Sequence, residues 1–484
     1  MNKFFAFPII CWLSISSYAS ELVYHISFAP ESHYIHVSLT LNDLKCEQTL
    51  LKMPVWAPGY YQIKDYPRNL ADFAVTDTDG QPIQWEKQGK SGWLVRNGKQ
   101  RKVIVTYRVY AHKQDVCEAK VDPERAFMPG NGVFMYINEE KENPITVHIQ
   151  PAEGWAHVST GMEAVTGSPF TYRAKDADEL YDCPFLIGNH LVVKKLWEGY
   201  EYEFAIETPD GIEGTTFFDD IRKIVAEATK LMGEVPYSRY CFLLLGQGQG
   251  GLEHANSQAS FTDGSFRFRS RSHYLRFLYF IAHEYFHLYN VKRIRPIELG
   301  PFDYDREVFT PMLWVSEGIN MHFETELVQR AGLASDEEVL DKMSGFIRRV
   351  ETQEGHKHMS LRQSSYDIWL NFLTDNENED DVCINYYFKG PIVALLMDIE
   401  IRRLTDNRKS LDDVMRLLYY SYYKEKGRGF TEEEFWKVCH EVAGTELTEM
   451  RRYVDTTTEI DYPRHLAPAG IRIDEEYRLS TQKQ

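Results

Sequence analysis

Cysteine is scarce in this chain, basic charge is outweighed, and phosphate-loop and repeat signatures are missing. Seven cysteines occur in 484 residues, widely spaced and with no CxxC pair, so the thiols do not read as metal ligands. Lys and Arg total 54 against 72 Asp and Glu, a formal net charge of −18. A uniformly acidic protein repels nucleic acid and anionic membranes, so no nucleic acid partner is expected. Beyond the first twenty residues no run reads as a membrane span. The glycine-rich GQGQGG, residues 246–251, is followed by no helix signal and no Gly-Lys-Ser/Thr, so it is a weak phosphate loop. No internal repeat and no low-complexity tract interrupts the chain.

What is present begins with a leader. MNKFFAFPIICWLSISSYAS sets Lys3 before an apolar stretch, Phe4 to Leu13, and Ser17-Tyr-Ala19 fits a small-residue cleavage site. Residues 1–19 are expected to be a signal peptide, and the mature protein to be exported, periplasmic or secreted. Ile10, just before Cys11, argues against a lipoprotein signal. Six cysteines then remain, and the sequence leaves open whether they pair or stay as isolated buried thiols.

Residues 20–205 read as strands and turns. Ile35, Val37, Leu39 and Leu41 alternate with polar residues, as do Val103, Val105, Tyr107 and Val109, and Asp79-Gly80 marks a turn. The expectation is an all-β domain of two packed sheets. The pattern then changes. A helix starting at Asp219 or Asp220 carries Ile221, Ile224, Val225, Ala228 and Leu231 on one side and stops at Gly233. CFLLL, 241–245, reads as a buried strand and LEHANSQASF as another. From about residue 335 helices dominate: Pro391 opens a strong one, and Ser410 and Thr431 are good caps, the latter boxed with Glu434. The fold class is α+β, an N-terminal all-β domain followed by a second domain, 206–465, completed by C-terminal helices, with 466–484 as a tail.

The chemistry is concentrated in IAHEYFHLYN, residues 281–290. The segment is apolar almost all round, so it should be buried, and buried charge needs a partner. His283 and His287 are four apart, which on a helix separates them by about 40° and one turn. Two imidazoles so placed can grip one zinc ion. Glu284 is turned away from the ligand position but can reach a water on that ion and take its proton. Chance alone can produce H-E-x-x-H; burial of all three residues sharpens the metal reading. A catalytic zinc site needs a third ligand, and Glu317 in LWVSEGINMHFE, 313–324, is the best candidate. Glu324, two turns further on the same face, either supports a ligand imidazole or is a solvated carboxylate.

HEYFHLYNVKRIRP followed by LWVSEG resembles the glycyl aminopeptidase family of bacterial zinc peptidases, within the gluzincin clan of thermolysin and aminopeptidase N. PVWAPGYYQIKDYPRNL, residues 54–70, resembles that family's β domain. The resemblance covers about residues 22–465 and implies that 206–465 is a thermolysin-like catalytic domain. No histidine follows His287 until His322, which argues against the metzincins. GGLEH, 250–254, is similar to the strand that aminopeptidase N relatives place beside the metal. By that match Glu253 holds the substrate's free amino group, with Gly250 and Gly251 beside it; the plain alternative is an ordinary edge-strand glutamate. YYFKG, 386–390, is similar to the clan's Y-x-K-G, which gives Tyr387 the role of donating to the tetrahedral oxyanion and leaves Tyr386 and Lys389 structural. The family commonly continues into a PDZ domain, for which the 14 residues after Gly470 leave no room.

These readings together imply an exported aminopeptidase with one Zn2+ per chain, acting on peptides with a free N-terminus by attack of a zinc-bound water. The family name implies a small first residue, glycine or alanine. The alternatives are a zinc endopeptidase of the same clan and a catalytically inactive peptide-binding relative; the presence of Glu284 and Tyr387 argues against the second. Self-association as a homo-oligomer is left open.

Overall fold

The computed structural model of the protein describes residues 22–371 and 379–481; the expected signal segment, 1–19, lies outside the described residues. The alternating segments of the N-terminal half form one seven-stranded and two four-stranded sheets rather than two sheets. The large sheet runs Glu163–Ala164, Thr171–Ala174, Ile145–Gln150, Leu22–Ala29, Tyr34–Leu41, Val103–Tyr110 and Leu70–Thr76. Its central register sets Ile26 opposite Val37 and Val37 opposite Tyr107. Period-2 alternation puts these residues on the inner face, where Tyr24, Ile35, Leu39, Val105 and Val147 are almost fully buried, and leaves His25 and His36 to solvent.

A fourth sheet, of five strands, begins the C-terminal half. Its order is Leu191–Trp197, Tyr200–Ile206, Arg239–Leu245, Ser257–Phe261 and Gly251–Glu253. The expected division at 205/206 falls inside the second of these strands, which pairs in parallel with Arg239–Leu245. Local alternation is the same for either partner, so the sequence pattern does not reveal which sheet a strand joins. The helix between those two strands runs Phe217–Met232, starting two or three residues earlier than expected, with Asp219 and Asp220 in its first turn. There their charge favours the helix dipole, and Gly233 at φ 88° ends the helix. LEHANSQASF is two strands, not one: the chain turns after Glu253, and His254 N donates to Ser257 O at 2.9 Å. The turn makes Gly251–Glu253 the edge of the sheet.

Helices then cover the sheet. Arg271–Phe286 is capped by Ser270, whose side chain accepts from His273 N. The helix expected to open at Pro391 in fact runs Tyr386–Leu404, because Asn385 caps it five residues earlier by accepting from Tyr387 N. Pro391 therefore sits inside the helix, with no N–H to give to the carbonyl one turn back. The stretch Asp380–Leu404 is long and apolar enough to cross a membrane, but it is mostly buried in the protein. Ser410 and Thr431 cap their helices as expected, each in a capping box, with Asp413 and Glu434. Gly318 and Gly390 bring two helical segments together: a Cβ on Gly318 would lie 2.6 Å from the Gly390 Cα. This contact sets Glu317 beside the first turn of the Tyr386–Leu404 helix. In the tail, Ile471–Ile473 and Leu479–Thr481 pair as a hairpin, and Leu479 N donates to Ser344 Oγ at 2.8 Å. Among the described residues no two cysteines are joined by a disulfide; Cys46 is exposed and the other five are buried.

Candidate active site

The buried helix Arg271–Phe286 carries His283 and Glu284 in its last turn, and His287 continues it as the C-cap in helical conformation. All three are buried. The two imidazoles face each other with Nε2 atoms 2.9 Å apart. Glu317 enters from the Trp314–Gly318 segment, a single wide π turn ahead of the helix Ile319–Arg330. Such turns carry an extra residue that re-aims a side chain, and they recur at functional sites. Glu317 Oε2 lies 3.4 Å from His283 Nε2 and 3.2 Å from His287 Nε2. Two fully buried asparagines tie these elements reciprocally. Asn320 Nδ2 donates to His283 O and Asn290 Nδ2 to Val315 O, both at 2.8 Å.

These residues fit a metal ion. The outward nitrogens face other partners: His287 Nδ1 pairs with Asn290 O at 2.8 Å, and His283 Nδ1 lies at ion-pair distance, 2.9 Å, from Glu324 Oε2. That leaves the Nε2 atoms pointing at one another and at Glu317 Oε2, which has no hydrogen-bond partner. Zinc ligands at roughly 2.0–2.1 Å around a tetrahedral ion are about 3.3 Å apart, close to each of the three separations. The electrostatics agree. Burial opposes protonation of His283, yet Glu317 and Glu324 lift it to about 10. Burial likewise opposes it at His287, and Glu317 again raises it. Burial raises Glu317, but His287 and His283 hold it far below the usual range. The cluster demands positive charge, and a divalent cation supplies it without protons. Glu324 is buried and paired with Lys342 at 2.6 Å as well as with His283, so it is not a solvated carboxylate.

Glu284 sits on the other flank of the histidines. Burial raises its pKa to about 8, with Glu253 and Glu317 adding to the rise and His283 and His287 opposing it. Its carboxylate rests on the Gly251 main chain: a Cβ there would overlap Glu284 Oε1 and Phe280. Gly250, at φ 88°, has open space around it. Gly251→Ala is therefore expected to displace Glu284 and lower kcat at least tenfold with metal content unchanged, read by steady-state kinetics and elemental analysis. Unaltered kcat would contradict this placement.

Glu253, on the same edge strand, is 4% exposed, and its Oε1 has no hydrogen-bond partner. Behind it, Asp182 lies 2.8 Å from Lys292 and 3.2 Å from His254, and it accepts from Ala255 N at 2.7 Å. Tyr387 is half-buried, its ring centroid 6.3 Å from that of His283. Burial raises its pKa well above the tyrosine range, and Glu317, Tyr386, Tyr61 and Glu253 raise it further, so the phenol stays protonated between metal cluster and edge strand. Lys389 is buried, and burial lowers its pKa to about 8. The sequence reading missed Gly59 and Tyr61. Both come from the β domain, yet a Cβ on Gly59 would lie 2.5 Å from Glu253 Oε1, and Tyr61 is buried near Glu317, Tyr386 and Glu253. The quoted 54–70 stretch was the available signal, but its partners are about 200 residues away in sequence.

Comparison with known proteins bears on the family and the fold. The profile of the Peptidase M61 N-terminal domain matches residues 23–189, and that of the M61 glycyl aminopeptidase matches 276–393. The chain has no match among curated proteins. A solved aminopeptidase N family protein from Idiomarina loihiensis superposes with a TM-score of 0.88 at 26% identity, over 94% of this chain and 79% of that one. The fold is also that of an M1 zinc metallopeptidase from Deinococcus radiodurans bound to a Tyr-Ser-Ala substrate: TM-score 0.57, 13% identity, 92% and 95% covered. Yeast LTA4 hydrolase in complex with bestatin gives a TM-score of 0.52 at 14% identity, over 96% and 68%. With a matching profile on each side of the domain junction and a buried His-His-Glu cluster in the second, the chain belongs to the M61 glycyl aminopeptidase family, whose members are metallo-aminopeptidases.

Proposed function

We propose that this chain is an exported zinc aminopeptidase that removes small first residues, glycine or alanine, from peptides. His283, His287 and Glu317 would hold the ion, and Glu324 would fix the His283 ring. Zinc, when bound there, supplies Lewis acidity at the scissile carbonyl. Glu284 takes a proton from the attacking water and passes it to the leaving amine. The Tyr387 hydroxyl donates to the oxygen on which negative charge develops, an interaction made only as the transition state forms. Glu253 receives the substrate ammonium, which sets the first peptide bond at the metal. Gly251, in this reading, holds the base in register rather than binding substrate.

The observation that carries the aminopeptidase reading is the buried Oε1 of Glu253 on a rigid strand edge, which accepts no hydrogen bond and lies 4.0 Å from Lys292 Nζ. A buried carboxylate oxygen without a donor is costly unless a ligand supplies one. An ammonium does so, at a gain of roughly 1.5–3 kcal/mol, about tenfold to a hundredfold in binding. Glu253→Ala should cut kcat/KM for free-amine peptides by that factor and leave the slow cleavage of N-acetylated peptides nearly unchanged. Equal losses on both would make Glu253 a structural residue and favour the endopeptidase alternative. Export rests on the leader alone. N-terminal sequencing of the mature protein from a cell envelope or culture fraction should begin at Ser20, and a chain beginning at Met1 would refute it.

A further inference from the structure

Glu253 has a cation of its own chain close by. Lys292 Nζ lies 4.0 Å from Glu253 Oε1, within ion-pair range but beyond hydrogen-bond distance. The lysine side chain is buried, and Lys292 N donates to His287 O at 3.0 Å, which fixes the residue just past the helix end that carries the metal-binding histidines. A buried carboxylate attracts any ammonium within reach, so Lys292 is a potential rival of the substrate's amino group.

Asp182 stands between them. It belongs to the β domain, as the C-cap of the short helix Ala177–Tyr181. Its Oδ1 lies 2.8 Å from Lys292 Nζ and 3.2 Å from His254 Nδ1, and its Oδ2 accepts from Ala255 N at 2.7 Å. His254 and Ala255 directly follow Glu253, so Asp182 is tied to the turn that ends the anchor's strand. Burial opposes its charge, but Lys292 and His254 outweigh burial and hold its pKa well below the usual carboxylate range. The Lys292 ammonium is therefore committed to Asp182 and is not bonded to Glu253. We infer that Asp182 is a positioning residue for amine recognition: it holds the Lys292 ammonium off Glu253 and leaves that carboxylate to the ammonium of the substrate. Without Asp182, Lys292 closes on Glu253 and becomes an internal competitor. This inference rests on the aminopeptidase reading of Glu253.

The test uses alanyl-coumarin in free-amine and N-acetylated form. Asp182→Asn keeps the shape and an acceptor for Ala255 N but releases Lys292. It should raise KM for the free-amine substrate about tenfold to a hundredfold, with kcat and the cleavage of the acetylated substrate little changed. Asp182→Asn combined with Lys292→Met removes the competitor as well, and should return KM to within about threefold of wild type. An unchanged KM in Asp182→Asn overturns the inference. So does an equal loss on both substrates, the mark of a merely structural ion pair, or a double variant no better than the single one. A crystal structure of the wild type with alanine bound needs no variant to fold. It should show the alanine ammonium on the Glu253 carboxylate and Lys292 Nζ still on Asp182; Nζ bonded to Glu253 would overturn the inference. If wild type cleaves the acetylated substrate as well as the free one, the aminopeptidase reading has failed first.

Discussion

Glu284→Gln is expected to lower kcat by about 10²–10⁴-fold, with the metal retained and KM little changed. The amide keeps the shape and the contact with Gly251, but it cannot take a proton. Glu284 is buried beside both histidines and is not one of the three atoms that converge on the ion. The loss should therefore fall on proton transfer and not on metal affinity. Elemental analysis and steady-state kinetics on the same preparation check this, and near-normal turnover in a metal-loaded variant would remove Glu284 from the mechanism.

Removal of the metal is expected to have an equally large effect. Chelation should abolish hydrolysis, and stoichiometric zinc should restore it. It should also lower the unfolding temperature, because the ion binds only the folded site: saturation a thousandfold above Kd stabilises by about 4 kcal/mol. Glu317→Ala should lose the ion and show both effects together, since it removes one of three convergent donors while His283 and His287 stay. Full activity in chelator-treated protein without stoichiometric metal would contradict this.

The site was legible where chemistry depends on local spacing. His283, Glu284 and His287 lie on one helix end, where helical periodicity sets their spacing; Glu317 on its π turn and Glu324 on the helix after it are readable as candidates by spacing, but only the fold brings them to the histidines. The caps Ser410 and Thr431 were legible for the same reason, since a capping box spans four residues. What was not legible depends on distant partners. Tyr200–Ile206 alternates like the strands before it, yet it pairs in parallel with Arg239–Leu245 across an intervening helix. Tyr386 rather than Pro391 begins its helix because Asn385 caps it there, a competition between two valid start signals. Gly59 and Tyr61 reach Glu253 only through packing of the β domain on the catalytic half, and no periodicity reports such a contact.

The central claim is that a buried carboxylate beside the metal cluster makes this family member select a free amino terminus. Its most direct test is wild-type kcat/KM on one peptide in free-amine and N-acetylated form, each with and without chelator. The account predicts at least a tenfold preference for the free amine, with both activities lost on chelation. An acetylated peptide cleaved as well as the free one, or better, would contradict it.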